Sequence, residues 1–141
     1  MKRALLFLVL GIGIIISGCS NKVAPQDDSQ AAPAASAEYH KITAEQAKEK
    51  MDETEGWILL DVRTDEEFEA EHIEGAVLIP DYEIAARVES ELPDKNAVIL
   101  IYCRSGRRSA LAAHEMVDMG YTGAYDFGGI IDWPYNTVSG K

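Results

Sequence analysis

Two short and almost unbroken apolar runs, WILLDV at 57–62 and AVILIY at 97–102, constrain this chain more than any other feature. A strand with water on one side alternates apolar and polar residues, so a run that is apolar throughout needs cover on both faces. The runs at 76–79 and 123–127 read the same way, and 39–42 is expected to add an edge strand. Helix signals lie between them. Thr43 with Gln46, and Thr64 with Glu67, have the spacing of capping boxes, in which each side chain satisfies an orphan backbone N–H of the first turn. Asp81 is placed to cap a helix carrying Ile84, Ala85, Val88 and Leu92 on one stripe and stopped by Pro93. A last helix is expected from Ser109 to Met119, ending before Gly120. Strand and helix alternating through such short connections predict an α/β domain, with a mostly parallel central sheet and helices on both faces.

These signals occupy 38–141, which is one domain with one core. Ahead of it, Lys2 and Arg3 precede an apolar stretch at 4–16 broken only by Gly11 and Gly13. That stretch is too short to cross roughly 30 Å of hydrocarbon comfortably, and its position and flanks are those of a signal peptide. Ile16-Ser17-Gly18-Cys19 resembles the lipobox of bacterial lipoproteins, in which a diacylglycerol joins the cysteine sulfur and the preceding peptide bond is cut. The resemblance implies a signal peptide at 1–18 and lipidation of Cys19. It places the domain in the cell envelope, held on the extracytoplasmic side of a bacterial membrane by lipid. Each buried CH₂ contributes roughly 0.8 kcal/mol, so two or more acyl chains would anchor the chain stably. Residues 20–37 are small and polar with no aromatic side chain, and with Cys19 they are expected to form a flexible tether.

Acids outnumber bases by 24 to 13, which argues against a nucleic-acid partner because binding phosphates needs a basic face. Three of the bases nevertheless fall within five residues, directly after AVILIY: Cys103-Arg104-Ser105-Gly106-Arg107-Arg108. Ligands of open α/β sheets gather at the carboxyl ends of strands, where this loop would lie. A thiol between a strand end and a helix N-terminus, beside guanidinium groups, should have its pKa lowered. The thiolate is itself the nucleophile and needs no separate histidine base. Ser105 and Gly106 allow a tight turn whose backbone N–H groups aim inward at an anion. The physics leaves open which anion that is.

From about Tyr39 to Trp133 the sequence resembles the rhodanese family of sulfurtransferases. Leu60-Asp61-Val62-Arg63 is similar to that family's DVR strand end, and His72-Ile73-Glu74-Gly75-Ala76 to its H-I-x-G-A turn. Residues 103–109 match the C-R-S-G-x-R-S active-site loop, and Gly128-Gly129 with Trp133 resembles the closing GG…W. The resemblance implies a three-layer rhodanese-like fold and a Cys103 persulfide that carries sulfur from a donor such as thiosulfate. The acceptor would be cyanide, a small thiol or a protein thiol. Arg104, Ser105, Gly106, Arg107 and Arg108 would bind the substrate, with Arg104 and Arg107 facing the mouth and Arg108 folding back to brace the loop. The spacing from Cys103 to Arg108 is C-x4-R, one residue shorter than the C-x5-R of cysteine phosphatases. It therefore favours a sulfur atom over phosphoryl or arsenate. The competing class is a persulfide carrier or anion- and protein-binding module that turns over no small molecule.

No cofactor is expected, and no Cys/His spacing marks a metal site. Asp61 and Arg63 read as a structural pair, His72 as a brace for the turn before Gly75, His114 as an exposed helix residue, and His40 as part of the domain entrance. With Cys19 lipidated, Cys103 would be the one free thiol, without a resolving partner for an internal disulfide. Its thiolate is expected to be exposed and open to oxidation.

Overall fold

In the computed structural model, which describes residues 37–140, the apolar runs pair side by side in one five-stranded parallel sheet. The strands are β1 (His40–Lys41), β2 (Ile58–Asp61), β3 (Val77–Leu78), β4 (Ile99–Cys103) and β5 (Ala124–Gly129), in the order β1-β5-β4-β2-β3. Central β4 is buried at all five positions. Successive side chains of a strand point to opposite faces. Ile99, Ile101 and Cys103 therefore enter one core, and Leu100 and Tyr102 enter the other. The single core expected for the domain is therefore divided by the sheet into two, one on each face, because an unbroken apolar run needs cover on both sides.

The helices supply the covering layers. α1 (Ala44–Glu53) buries Ala44 and Ala47 against Leu100, Tyr102 and Phe127. α2 (Asp65–Ala70) follows β2 at the carboxyl end of the sheet. α3 (Ile84–Glu91) and α4 (Arg107–Asp118) cover the opposite face through Ile84, Val88, Ala112 and Met116. Both capping boxes form. Thr43 Oγ1 accepts from Gln46 N–H at 3.2 Å while Thr43 N–H donates to Gln46 Oε1 at 2.9 Å. Thr64 and Glu67 make the same exchange at 3.3 and 3.2 Å.

Several boundaries differ from the sequence reading. Asp81 does not cap α3: its N–H donates to the carbonyl of Val62 at 3.1 Å, so its backbone stays tied to the end of β2. The chain then turns through a 3₁₀ segment, Asp81–Glu83, and α3 begins at Ile84 with no side-chain cap. α4 starts two residues before Ser109, because Gly106 at φ +95° completes the reversal out of β4. A side chain rarely adopts that left-handed backbone, and glycine does so at no steric cost. β5 runs on to Gly129, with a register shift that skips Phe127 between the pairs Ile101–Asp126 and Tyr102–Gly128. The signal-peptide, lipidation and tether readings at 1–36 lie outside the described residues.

Candidate active site

β4 delivers Cys103 to the carboxyl end of the sheet, and residues 104–106 wrap over it before α4 begins. The Gly106 N–H donates to Cys103 Sγ at 3.1 Å. Burial pushes the Cys103 thiol up, but hydrogen bonds from the Ser109 backbone and hydroxyl and from the amides of Ser105 and Gly106 outweigh it. The pKa comes out below its ordinary value. The sequence reading assigned this lowering to the helix end and the three guanidinium groups. The donors include the amides of the N-terminal turn of α4, so the helix end acts through direct hydrogen bonds to the sulfur, and these, rather than the guanidinium groups, are the largest lowering influences.

One other expectation changes. The thiol is not exposed: Cys103 is only 1% accessible. The arginines divide as the resemblance implied. Arg104 and Arg107 are exposed, whereas Arg108 turns back onto α2 and makes two bonds to Glu67, Nη1 to Oε2 at 2.7 Å and Nη2 to Oε1 at 2.8 Å. This fork-to-carboxylate pair neutralises Arg108 and ties the start of α4 to α2. Ser105 is exposed at the loop tip and Gly106 is half-buried.

A cleft of about 280 Å³ opens beside the loop, lined by Arg63, Glu67, Glu71, Arg104, Ile130 and Ile131 among others. Buried Arg63 pairs with buried Asp61, with Nη2 at 2.6 Å from Oδ2, and also donates to the carbonyl of Glu71 at 2.6 Å. This pair fixes the chain between β2 and α2. His72 Nδ1 lies 2.9 Å from the Phe68 carbonyl and its ring stacks on Phe68, which holds the segment leading to Gly75. His114 is exposed and stacks on Tyr39; His40 stacks on Tyr125. The groups that bond the thiol include none of these histidines. Among the described residues, no cluster of three or more His, Cys, Asp or Glu could hold a metal ion.

Sequence reasoning assigned no site role of their own to two residues. Ser109 was read as a helix start, yet it is fully buried, with its hydroxyl 3.1 Å from the carbonyls of both Gly106 and Gly128. A buried hydroxyl in the first turn of a helix that follows a nucleophile was the available signal. Glu67 was read as half of a capping box and as part of a solvated helix face. Its pairing with a residue 41 positions away has no local trace.

A strand-end thiol in a cradle of amides, on a doubly covered parallel sheet, defines an α/β enzyme with a cysteine nucleophile. Residues 43–134 match the rhodanese-like domain family. Over 86 residues the chain is 40% identical to Thiosulfate sulfurtransferase PspE of Escherichia coli strain K12, which covers 61% of this chain and 81% of that protein. Over 108 residues it is 32% identical to Thiosulfate sulfurtransferase GlpE of Pseudomonas syringae pv. syringae, covering 73% of this chain and 98% of that one. A solved structure described as a rhodanese with anions from E. coli superposes with a TM-score of 0.55 at 36% identity, covering 60% of this chain and all of that one. A rhodanese-like domain protein from Staphylococcus aureus gives 0.62 at 30% identity, covering 72% and 99%. The chain belongs to the rhodanese-like family and is a rhodanese-type sulfurtransferase.

Proposed function

We propose that this enzyme moves a sulfane sulfur from a donor such as thiosulfate to cyanide or a thiol, through a persulfide on Cys103. The Cys103 thiolate attacks the outer sulfur of thiosulfate. A new S–S bond forms at Cys103, the donor's S–S bond breaks, and its electron pair leaves with sulfite. The persulfide retains one negative charge. An acceptor nucleophile then attacks its terminal sulfur, and the electron pair of that S–S bond returns to Cys103 as thiolate. Cyanide would leave as thiocyanate, and a thiolate would leave as its own persulfide.

One observation carries this reading: Sγ of Cys103 is held by donors from Gly106, Ser105 and Ser109 at the base of a loop whose Arg104 and Arg107 are exposed. Preorganised N–H donors stabilise an anionic sulfur without reorganising during the reaction, and the free guanidinium groups favour a dianionic donor. The names of the two curated relatives support thiosulfate as that donor. The test is intact mass of the protein before and after thiosulfate, beside Cys103→Ser. The wild type alone should gain one sulfur, and cyanide or a dithiol should remove it. A reduced, alkylatable Cys103 that gains no sulfur from thiosulfate or polysulfide would overturn the persulfide route.

We also propose that Cys19 carries lipid and holds the domain on the outer side of a bacterial membrane, with 20–37 as its tether. The basis is the Ile16-Ser17-Gly18-Cys19 sequence behind an apolar stretch. Fatty-acid labelling of the full chain should be lost in Cys19→Ser. Equal labelling of both would refute the assignment.

A further inference from the structure

The fully buried carboxylate of Asp126 lies one layer behind the thiol cradle and touches nothing that reacts. Its Oδ1 accepts from the Gly128 N–H at 2.9 Å. Its Oδ2 accepts from Tyr39 O–H and from the Lys41 ammonium, both at 2.8 Å. A buried charge persists only when paired and hydrogen-bonded, and here the first residues of the domain supply both partners. The Gly128 end of this network leads to the site. Gly128 stands at φ +99°, where the ladder skips Phe127, and its carbonyl accepts from the Ser109 hydroxyl at 3.1 Å, which seats Ser109 with its backbone N–H toward Cys103. A Cβ on Gly106 would lie 3.4 Å from Gly128 Cα and 3.9 Å from Lys41 Nζ, so the loop, the bulge and the ammonium are in direct succession. Tyr39 also stacks on His114 of α4, with ring centroids 4.1 Å apart.

We propose that Asp126, fastened by Tyr39 just before edge strand β1 and by Lys41 within it, is a positioning residue for the Cys103 cradle, acting through Gly128 and Ser109. The proposal rests on Cys103 being the reactive thiol. Burial, followed by Asp126 itself, raises the Tyr39 phenol to about 12, so it remains a proton donor throughout the working range. Lys41 remains half-exposed and bridges water to the buried carboxylate.

The test is the pH profile of Cys103 alkylation by iodoacetamide, which requires no sulfur transfer. In Asp126→Ala the bulge loses its clamp. The alkylation midpoint should rise by about one pH unit, slowing the reaction about tenfold at neutral pH. Through-space electrostatics alone predicts the opposite sign, because removing an anion should make a neighbouring thiolate easier to form. Asp126→Asn keeps an acceptor for Gly128 but turns its –NH2 toward the Tyr39 and Lys41 donors, so its midpoint should rise by less than that of Asp126→Ala. If Asp126→Ala does not fold, Tyr39→Phe carries the test without changing charge, and should slow alkylation at neutral pH by about threefold. A folded Asp126→Ala with an unchanged or lowered midpoint overturns the proposal. So does an Asp126→Asn that shifts as far as the alanine variant, or an unaffected Tyr39→Phe in the fallback case. A wild type that alkylates readily but takes no sulfur would refute the persulfide route and leave this inference standing.

Discussion

Gly129→Ala isolates the contact on which the loop's shape depends. Gly129 has ordinary extended backbone, φ −119° and ψ 148°, which alanine adopts without strain. Only the space around it excludes a side chain. A Cβ there would lie 2.3 Å from the carbonyl oxygen of Arg104 and 2.6 Å from Cα of Ser105. Both are backbone atoms, so no side chain can swing aside. Non-bonded carbon and oxygen approach to about 3.3 Å, so the loop must retreat by roughly 1 Å. Overpacking of this kind costs about 1–3 kcal/mol. For a domain of this size each kcal/mol lowers Tm by roughly 4–8 °C. The catalytic loss is the larger effect, because a 1 Å misplacement of the reacting groups costs on the order of 100-fold.

Gly129→Ala should therefore fold, melt earlier, and lose about two orders of magnitude in kcat/KM for thiosulfate. Circular dichroism, thermal melts and steady-state thiocyanate formation check the three parts. Gly56→Ala is the control. Gly56 has nothing within 4 Å of a Cβ and only a φ of +73°, so the change should cost roughly 1–2 kcal/mol of backbone strain and leave turnover per folded molecule intact. Wild-type turnover in Gly129→Ala would refute the argument that the Gly129–Arg104 contact shapes the site.

Alkylation of Cys103 in the wild type should have its midpoint below the ordinary thiol value of about 8.5, and Ser109→Ala should move it upward; a rate set by an ordinary thiol would contradict the amide-cradle account. Glu67→Gln removes the charge that Arg108 grips and should cost about 2 kcal/mol at neutral pH, read by denaturant melts. Hydrogen bonds from Arg108 hold the Glu67 carboxyl below its ordinary 4.5, so its stabilisation is fully present above that pH. It is lost as pH falls through the lowered folded-state value, so wild type and Glu67→Gln should converge in stability only once the pH is below that value. Leu100→Ala empties a fully buried position on the α1 side of β4 and should cost about 3–4 kcal/mol while leaving activity per folded molecule unchanged.

Much of this protein follows from local chemistry that a sequence displays. The runs at 57–62 and 97–102 imply strands covered on both faces, and central β4, with Leu100 in one core and Ile101 in the other, realises that. Thr43–Gln46 and Thr64–Glu67 signal helix starts because both partners of a capping box lie within one turn. Cys103 was legible for the same reason: strand end, glycine turn and helix start are consecutive. Asp81 was misread because its backbone bond to Val62 comes from a different part of the chain. Tertiary structure alone set the site's working chemistry. It buried the thiol, turned Arg108 onto Glu67, packed Gly129 against Arg104, and tied Asp126 to Tyr39 and Lys41. Each of these pairs groups far apart along the chain or across the sheet. Sequence patterns carry the short-range part of the energy, whereas parallel strand pairing and crossovers decide which distant polar groups share one small, dry volume.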